Sequence, residues 1–167
     1  MIVLVVLSTA AMVCAAPAGV SFVPSARSVD CYDFVEIAVN VEKPDAANPF
    51  TDAVVEGRFT RAGGSPVHVD GFCDSADGRV FRIRFMPTQP GDYEYAVTYR
   101  QDDYKTSHSG RFVVRKGNRR GLIRVDKEHP WHFLWEGTGE HFFWNGTTTY
   151  WLLGWDDETI RGSIDRL

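Results

Sequence analysis

Residues 89–100 read Gln-Pro-Gly-Asp-Tyr-Glu-Tyr-Ala-Val-Thr-Tyr-Arg, and this stretch decides the fold. Pro90-Gly91 marks a turn. Beyond it, Tyr93, Tyr95, Val97 and Tyr99 fall on one parity of an extended chain, which gives a single apolar face. The same period of two recurs upstream. Over residues 32–41 the set Val35, Ile37, Val39 and Val41 is uniformly β-branched and faces a core, opposite Phe34, Glu36, Ala38 and Asn40. Over residues 80–86, Phe81, Ile83 and Phe85 point inward and Arg82 and Arg84 outward. Residues 53–60, the alternating Val67 and Val69, and residues 110–115 complete the series, with Gly63-Gly64 and residues 74–78 as turns. About seven short strands at even spacing, with no helical period among them, predict an all-β sandwich.

Gly91-Asp92-Tyr93 narrows that prediction. In immunoglobulin-like sandwiches a Gly-x-Tyr step near the start of a late strand forms a tyrosine corner, whose hydroxyl ties the loop to the strand. Tyr93 is the expected corner residue, and Tyr95 stands where antibody domains carry their second cysteine.

Composition sets the outer bounds. The chain has 167 residues, 44% hydrophobic and 24% charged, which is enough apolar material for a core. Its net charge of −4 comes from mixed signs, and residues 115–120 (RKGNRR) are the one basic cluster. A nucleic-acid grip needs a clustered basic face, so that class is excluded. Residues 1–18 are apolar and then small, too short to span a bilayer comfortably, and predict a signal peptide. Ala16 and Ala18 supply the cleavage motif, and Gly19 would begin the mature chain, although no Lys or Arg precedes the apolar run. Val13 before Cys14 argues against lipidation, so no membrane association is expected after cleavage. A secreted or periplasmic location follows, and it permits disulfides. Cys31 and Cys73 form one possible pair; two separate buried thiols are the alternative.

After Arg115 the character of the chain changes. The expected division is a sandwich over residues 19–116, a linker over 117–130 and a second domain over 131–167. Two aromatic runs flank the glycine-containing loop Glu136-Gly137-Thr138-Gly139-Glu140, as in a hairpin. Asp156, Asp157 and Glu158 then mark a helix N-terminus, with Ile160, Ile164 and Leu167 on one helical stripe. No stop signal follows, so the helix is expected to run on to Leu167, and the second domain is expected to be cut off there.

Four motifs in order carry a family resemblance: Asn48-Pro49-Phe50, Gly71-Phe72-Cys73-Asp74, Arg84-Phe85-Met86-Pro87 and Gly91-Asp92-Tyr93-Glu94-Tyr95. They resemble the immunoglobulin-like module of unknown function that precedes apiosidase-like glycoside hydrolases, with Cys73 standing where an aromatic is common. Phe133, Glu136-Gly137, Phe142-Phe143, Gly146, Thr148 and Tyr150 loosely resemble the start of the hydrolase domain, with one extra residue in the hairpin loop. The expected fold is therefore an all-β immunoglobulin-like sandwich, followed by a hairpin and the first strand–helix unit of a truncated (β/α)8 barrel.

The resemblance implies a poly- or oligosaccharide substrate for the full-length protein and packing of the sandwich on the missing barrel. Glycosidases need two carboxylates, which barrels present at strand ends. In the resembling enzymes these come from later strands, so no catalytic residue is expected before Leu167, and no hydrolase activity. Thr148, Tyr150 and Trp151, at the end of the opening strand, could line a sugar subsite or simply fill the barrel mouth. His68, His108, His129, His132 and His141 show no metal-ligand spacing, and Asp74 and Asp77 are explained by turn chemistry, so neither metal nor cofactor is expected. The rival reading is a non-enzymatic sandwich used for carbohydrate binding or adhesion.

Overall fold

The computed structural model describes residues 18–144, 146 and 154–166. The strands follow the alternation of the sequence closely in the first hundred of these residues. In Val35–Lys43 (β3) the β-branched parity is buried from Val35 to Val41, and in Val80–Phe85 (β7) Phe81, Ile83 and Phe85 are buried between exposed or half-buried arginines. These two strands pair antiparallel in register, Ile37 opposite Ile83, so their apolar sets form one continuous face. Ala18–Pro24 (β1) pairs on the free side of β3, and Phe72–Cys73 (β6) on the free side of β7.

The second sheet is built the same way. Ala53–Arg61 (β4), Gly91–Gln101 (β8) and Tyr104–Arg115 (β9) lie side by side, flanked by Pro66–Asp70 (β5) and by Ser28–Asp30 (β2), which runs parallel to β9. The strand orders β1-β3-β7-β6 and β2-β9-β8-β4-β5 reproduce the two-sheet layout of an immunoglobulin-type sandwich. Facing side chains from both sheets make one core, in which Phe59, Phe85, Tyr93, Tyr95 and Phe112 pack ring against ring. The tyrosine corner forms as expected, with Tyr93 Oη donating to Gln89 O at 3.0 Å. The motif turns are structural too. Asn48 Oδ1 accepts from the Phe50 amide, and Asp52 Oδ2 from the Asn48 amide, closing the Asn-Pro-Phe turn.

Three short strands form a separate sheet: Ile123–Val125 (β10), Phe133–Trp135 (β11) and His141–Phe142 (β12), in that order and antiparallel. The expected hairpin is therefore present, with Gly139 at φ 74° in its loop. Part of the expected linker, residues 123–125, is strand because Ile123 has Trp135 to pair with. A helix, Asp157–Ile164 (α1), starts where the carboxylates place it. Asp156 caps it by accepting from the Thr159 amide at 2.9 Å. It stops after eight residues rather than running on to Leu167. None of its residues is buried, and a short helix without a buried face has little to extend it.

The small sheet is docked on the sandwich at the turn after β2. Tyr32, with φ 64°, lays its ring against Gly121 and Gly137, where a Cβ at Gly121 would come within 2.9 Å of the ring. Arg119 Nη2 donates to Asp33 Oδ2 at 2.7 Å, and the Gly137 amide donates to Arg120 O at 2.8 Å. The basic segment is thus tethered to acidic partners: Arg115 to Asp30 and Arg120 to Glu140 as well.

Candidate functional site

Asp126 follows β10 directly, and its backbone amide donates to His132 O at 2.9 Å, so residues 126–132 close into a compact turn. Its carboxylate organises that turn. Oδ1 accepts from the Glu128 amide at 2.9 Å, and Oδ2 faces two histidines. His129 Nδ1 lies 3.3 Å from Oδ2, and His141 Nε2 lies 2.9 Å from it. His129 comes from the turn itself. His141 comes from β12, placed within reach of Asp126 by its pairing with Leu134 in the middle strand.

The electrostatics fix the protonation state of the acid. Hydrogen bonds from His141 and then from the Glu128 amide hold the Asp126 carboxyl far below the usual carboxylate range, against the effect of desolvation. The Asp126 side chain is 9% exposed, while those of His129 and His141 are 58% and 61% exposed, so the acid is sheltered and the rings open to solvent. The His132 ring lies alongside, 5.9 Å from that of His129 and 5.6 Å from that of His141. The ligand atoms of Asp126, His129 and His141 all lie within 4.8 Å of one another, a donor set suited to a metal ion.

Beside this cluster runs an aromatic groove of about 430 Å³, lined by Trp131, Phe133, Phe143 and Trp144 and sharing His132 and His141 with the cluster. Trp131 and Phe143 are each 86% exposed. Rings so open on neighbouring positions are a surface made for contact.

Sequence reasoning singled out other residues. Thr148, Tyr150 and Trp151 lie outside the described residues. Cys31 and Cys73 are both free thiols: Cys31 is buried beside β2, and Cys73, half-buried in β6, donates from Sγ to Ser75 O at 3.1 Å. Burial pushes the Cys31 thiol up. Asp74 and Asp77 are engaged within the protein, Asp74 by Arg82 and Asp77 by Arg79. The cluster around Asp126 escaped notice because its members are distant or irregular in sequence. The Asp-x-x-His step was the one local signal, and His141 joins it through sheet register alone.

Residues 28–100 match the model of a family described as Domain of unknown function (DUF5060). No curated protein matches the chain. Among solved structures, it is similar to a protein from Bacteroides vulgatus described as a "putative glycoside hydrolase", with 27% identity and a TM-score of 0.67, over 84% of this chain and 26% of that one. A DUF4426 family protein from Pseudomonas aeruginosa matches at 13% identity and a TM-score of 0.37, over 49% of this chain and 74% of that one, too distant to carry an argument. The present chain thus spans 26% of the length of the Bacteroides vulgatus protein, and its likeness to that protein takes in the sandwich and more.

Proposed function

We propose that this chain is the N-terminal, non-catalytic part of a secreted glycoside hydrolase, in which the sandwich packs on or orients a (β/α)8 catalytic barrel. The observation that carries this reading is the extent of the likeness to the Bacteroides vulgatus protein. It covers 84% of the chain, well beyond the family match over residues 28–100. The exposed rings of Trp131, Phe143 and Trp144 and a helix that buries none of its residues are what an interface with a further domain would leave uncovered. The substrate is a poly- or oligosaccharide, and the two carboxylates that cleave it belong to later strands of the barrel. The apiosidase-like character of that barrel rests on the motif resemblance.

The encoding DNA tests the proposal directly. A frame that continues past Leu167 through further strand–helix units, with carboxylates at two strand ends, is the expected result. A stop codon immediately after Leu167 overturns it. The aromatic groove favours a second reading, a carbohydrate-binding or adhesion module with no enzyme attached. Affinity electrophoresis in polysaccharide gels separates the two. Retardation of the isolated chain, abolished by Trp144→Ala, would support the binding module.

A further inference from the structure

We propose that Asp126, His129 and His141 form a binding site for a divalent transition-metal ion, with zinc as the best match to the donors. The inference does not depend on the enzyme reading; it rests on the geometry of the small sheet. Two imidazole nitrogens and one carboxylate oxygen are a common zinc set, and three protein ligands leave a coordination position for water. A tetrahedral zinc with bonds of about 2.0–2.1 Å holds its donor atoms about 3.3–3.4 Å apart. Asp126 Oδ2 lies 3.3 Å from His129 Nδ1 and 2.9 Å from His141 Nε2, and all three donor atoms fall within 4.8 Å of one another. An ion enters this triangle by opening one edge slightly and closing another, movements that two exposed histidine side chains can make.

The surroundings favour the same occupant. Asp126 is oriented by the Glu128 amide on its other oxygen, the kind of outer hydrogen bond that aims a metal ligand. Two imidazoles select a borderline ion over calcium or magnesium, which prefer an all-oxygen shell. A ring nitrogen that faces the carboxylate with a hydrogen would pass that hydrogen to the other nitrogen of its ring, by a switch of tautomer, so that its lone pair could reach the ion. The site would also join the turn 126–132 to β12, so the ion would fasten the two ends of the small sheet to each other.

The untagged chain, stripped with a chelator, is titrated with zinc chloride by calorimetry and with cobalt(II) by visible absorption. One equivalent of zinc is expected to bind with a micromolar or lower Kd, and cobalt to develop the absorption bands of a low-coordinate nitrogen–oxygen site. His129→Ala and His141→Ala are each expected to weaken zinc binding by about tenfold or more, the loss typical of a damaged metal site. Both residues are exposed, so the variants should keep the far-ultraviolet dichroism of the parent. His68→Ala, in β5 and outside the cluster, should bind as the parent does. Zinc binding unchanged in the double variant His129→Ala/His141→Ala overturns the proposal, as does no binding to the parent. Equal affinity for calcium and zinc overturns the transition-metal assignment.

Discussion

Tyr99 is 1% exposed, and its hydroxyl donates to Gln101 Oε1 at 2.7 Å; the buried Gln101 amide in turn donates to Asp45 Oδ1. This short polar chain inside an apolar core matters to stability because each member satisfies the next. Burial, with the Asp45 carboxylate adding to it, pushes the Tyr99 hydroxyl from its ordinary 10.0 up to about 12. A folded-state pKa above the unfolded one means that the contribution of Tyr99 is full below pH 10.0. It is then lost as the pH rises towards about 12. Urea midpoints measured across that window should fall more steeply for the parent than for Tyr99→Phe; parallel curves would count against this account. At neutral pH, Tyr99→Phe leaves the Gln101 carbonyl buried without its donor and should cost about 1–3 kcal/mol. The face on which Tyr99 lies could be read from the alternation of residues 93–99. Its polar partners could not, because Asp45 lies in a loop whose position is set only when the sandwich closes.

At the scale of the element, β4 shows how closely the two sheets meet. Its inward row runs Ala53, Val55, Gly57 and Phe59, and Ile83 of the opposite sheet fills the space beside Gly57. A Cβ at Gly57 would sit 2.5 Å from Ile83 Cδ1 and 2.9 Å from Phe59 Cε2. Gly57→Ala should therefore destabilise by about 1–3 kcal/mol through overpacking, despite the better strand propensity of alanine. Shortening the opposing residue should relieve the clash. In Gly57→Ala/Ile83→Val the two losses should be less than additive in chemical denaturation, and strict additivity would mean that the two residues are not in contact. Elements with strong apolar alternation, β3, β7 and β8, were legible from sequence because burial alone determines them. β9 was legible only from Gly110 onward. Its first half pairs with β8 through backbone hydrogen bonds and a Thr98 Oγ1–Ser107 Oγ contact of 2.8 Å, and it carries no apolar stripe. The turn at Asp102, with φ 47°, sets that pairing, and turn geometry leaves a weaker mark on composition than a core does. The cluster at Asp126 is the extreme case. Asp126 and His129 meet within one turn, but nothing in the spacing brings His141 to them until β10, β11 and β12 are in register.

For the molecule as a whole, the informative joint is the one between the sandwich and the small sheet. Tyr32 adopts a left-handed backbone that its side chain disfavours, and its amide donates to Pro87 O at 2.8 Å in the sandwich. Its ring is held between Gly121 and Gly137, two positions where any side chain would collide with it or with the neighbouring backbone. Burial and the nearby Glu136 carboxylate both push its hydroxyl up, as expected for a ring closed into a joint. The joint therefore spans the boundary that composition alone marked as a linker, and it gives the basic segment a fixed path. That path should protect the Arg119–Arg120 region from cleavage, because Arg119 is tied to Asp33 and Arg120 O is held by the Gly137 amide. Tyr32→Gly keeps the backbone conformation accessible and removes only the ring. The half-buried ring also packs against the sandwich core, so the thermal midpoint of the sandwich should fall somewhat, and proteolysis is compared well below it. Trypsin cleavage after Arg119 and Arg120 should accelerate about tenfold, the change expected if the ring contributes about 1.4 kcal/mol to docking. Cleavage followed by mass spectrometry at those two bonds reads the effect directly. Equal rates in parent and variant would show that the small sheet is held to the sandwich by the ion pairs, with the ring of Tyr32 contributing nothing.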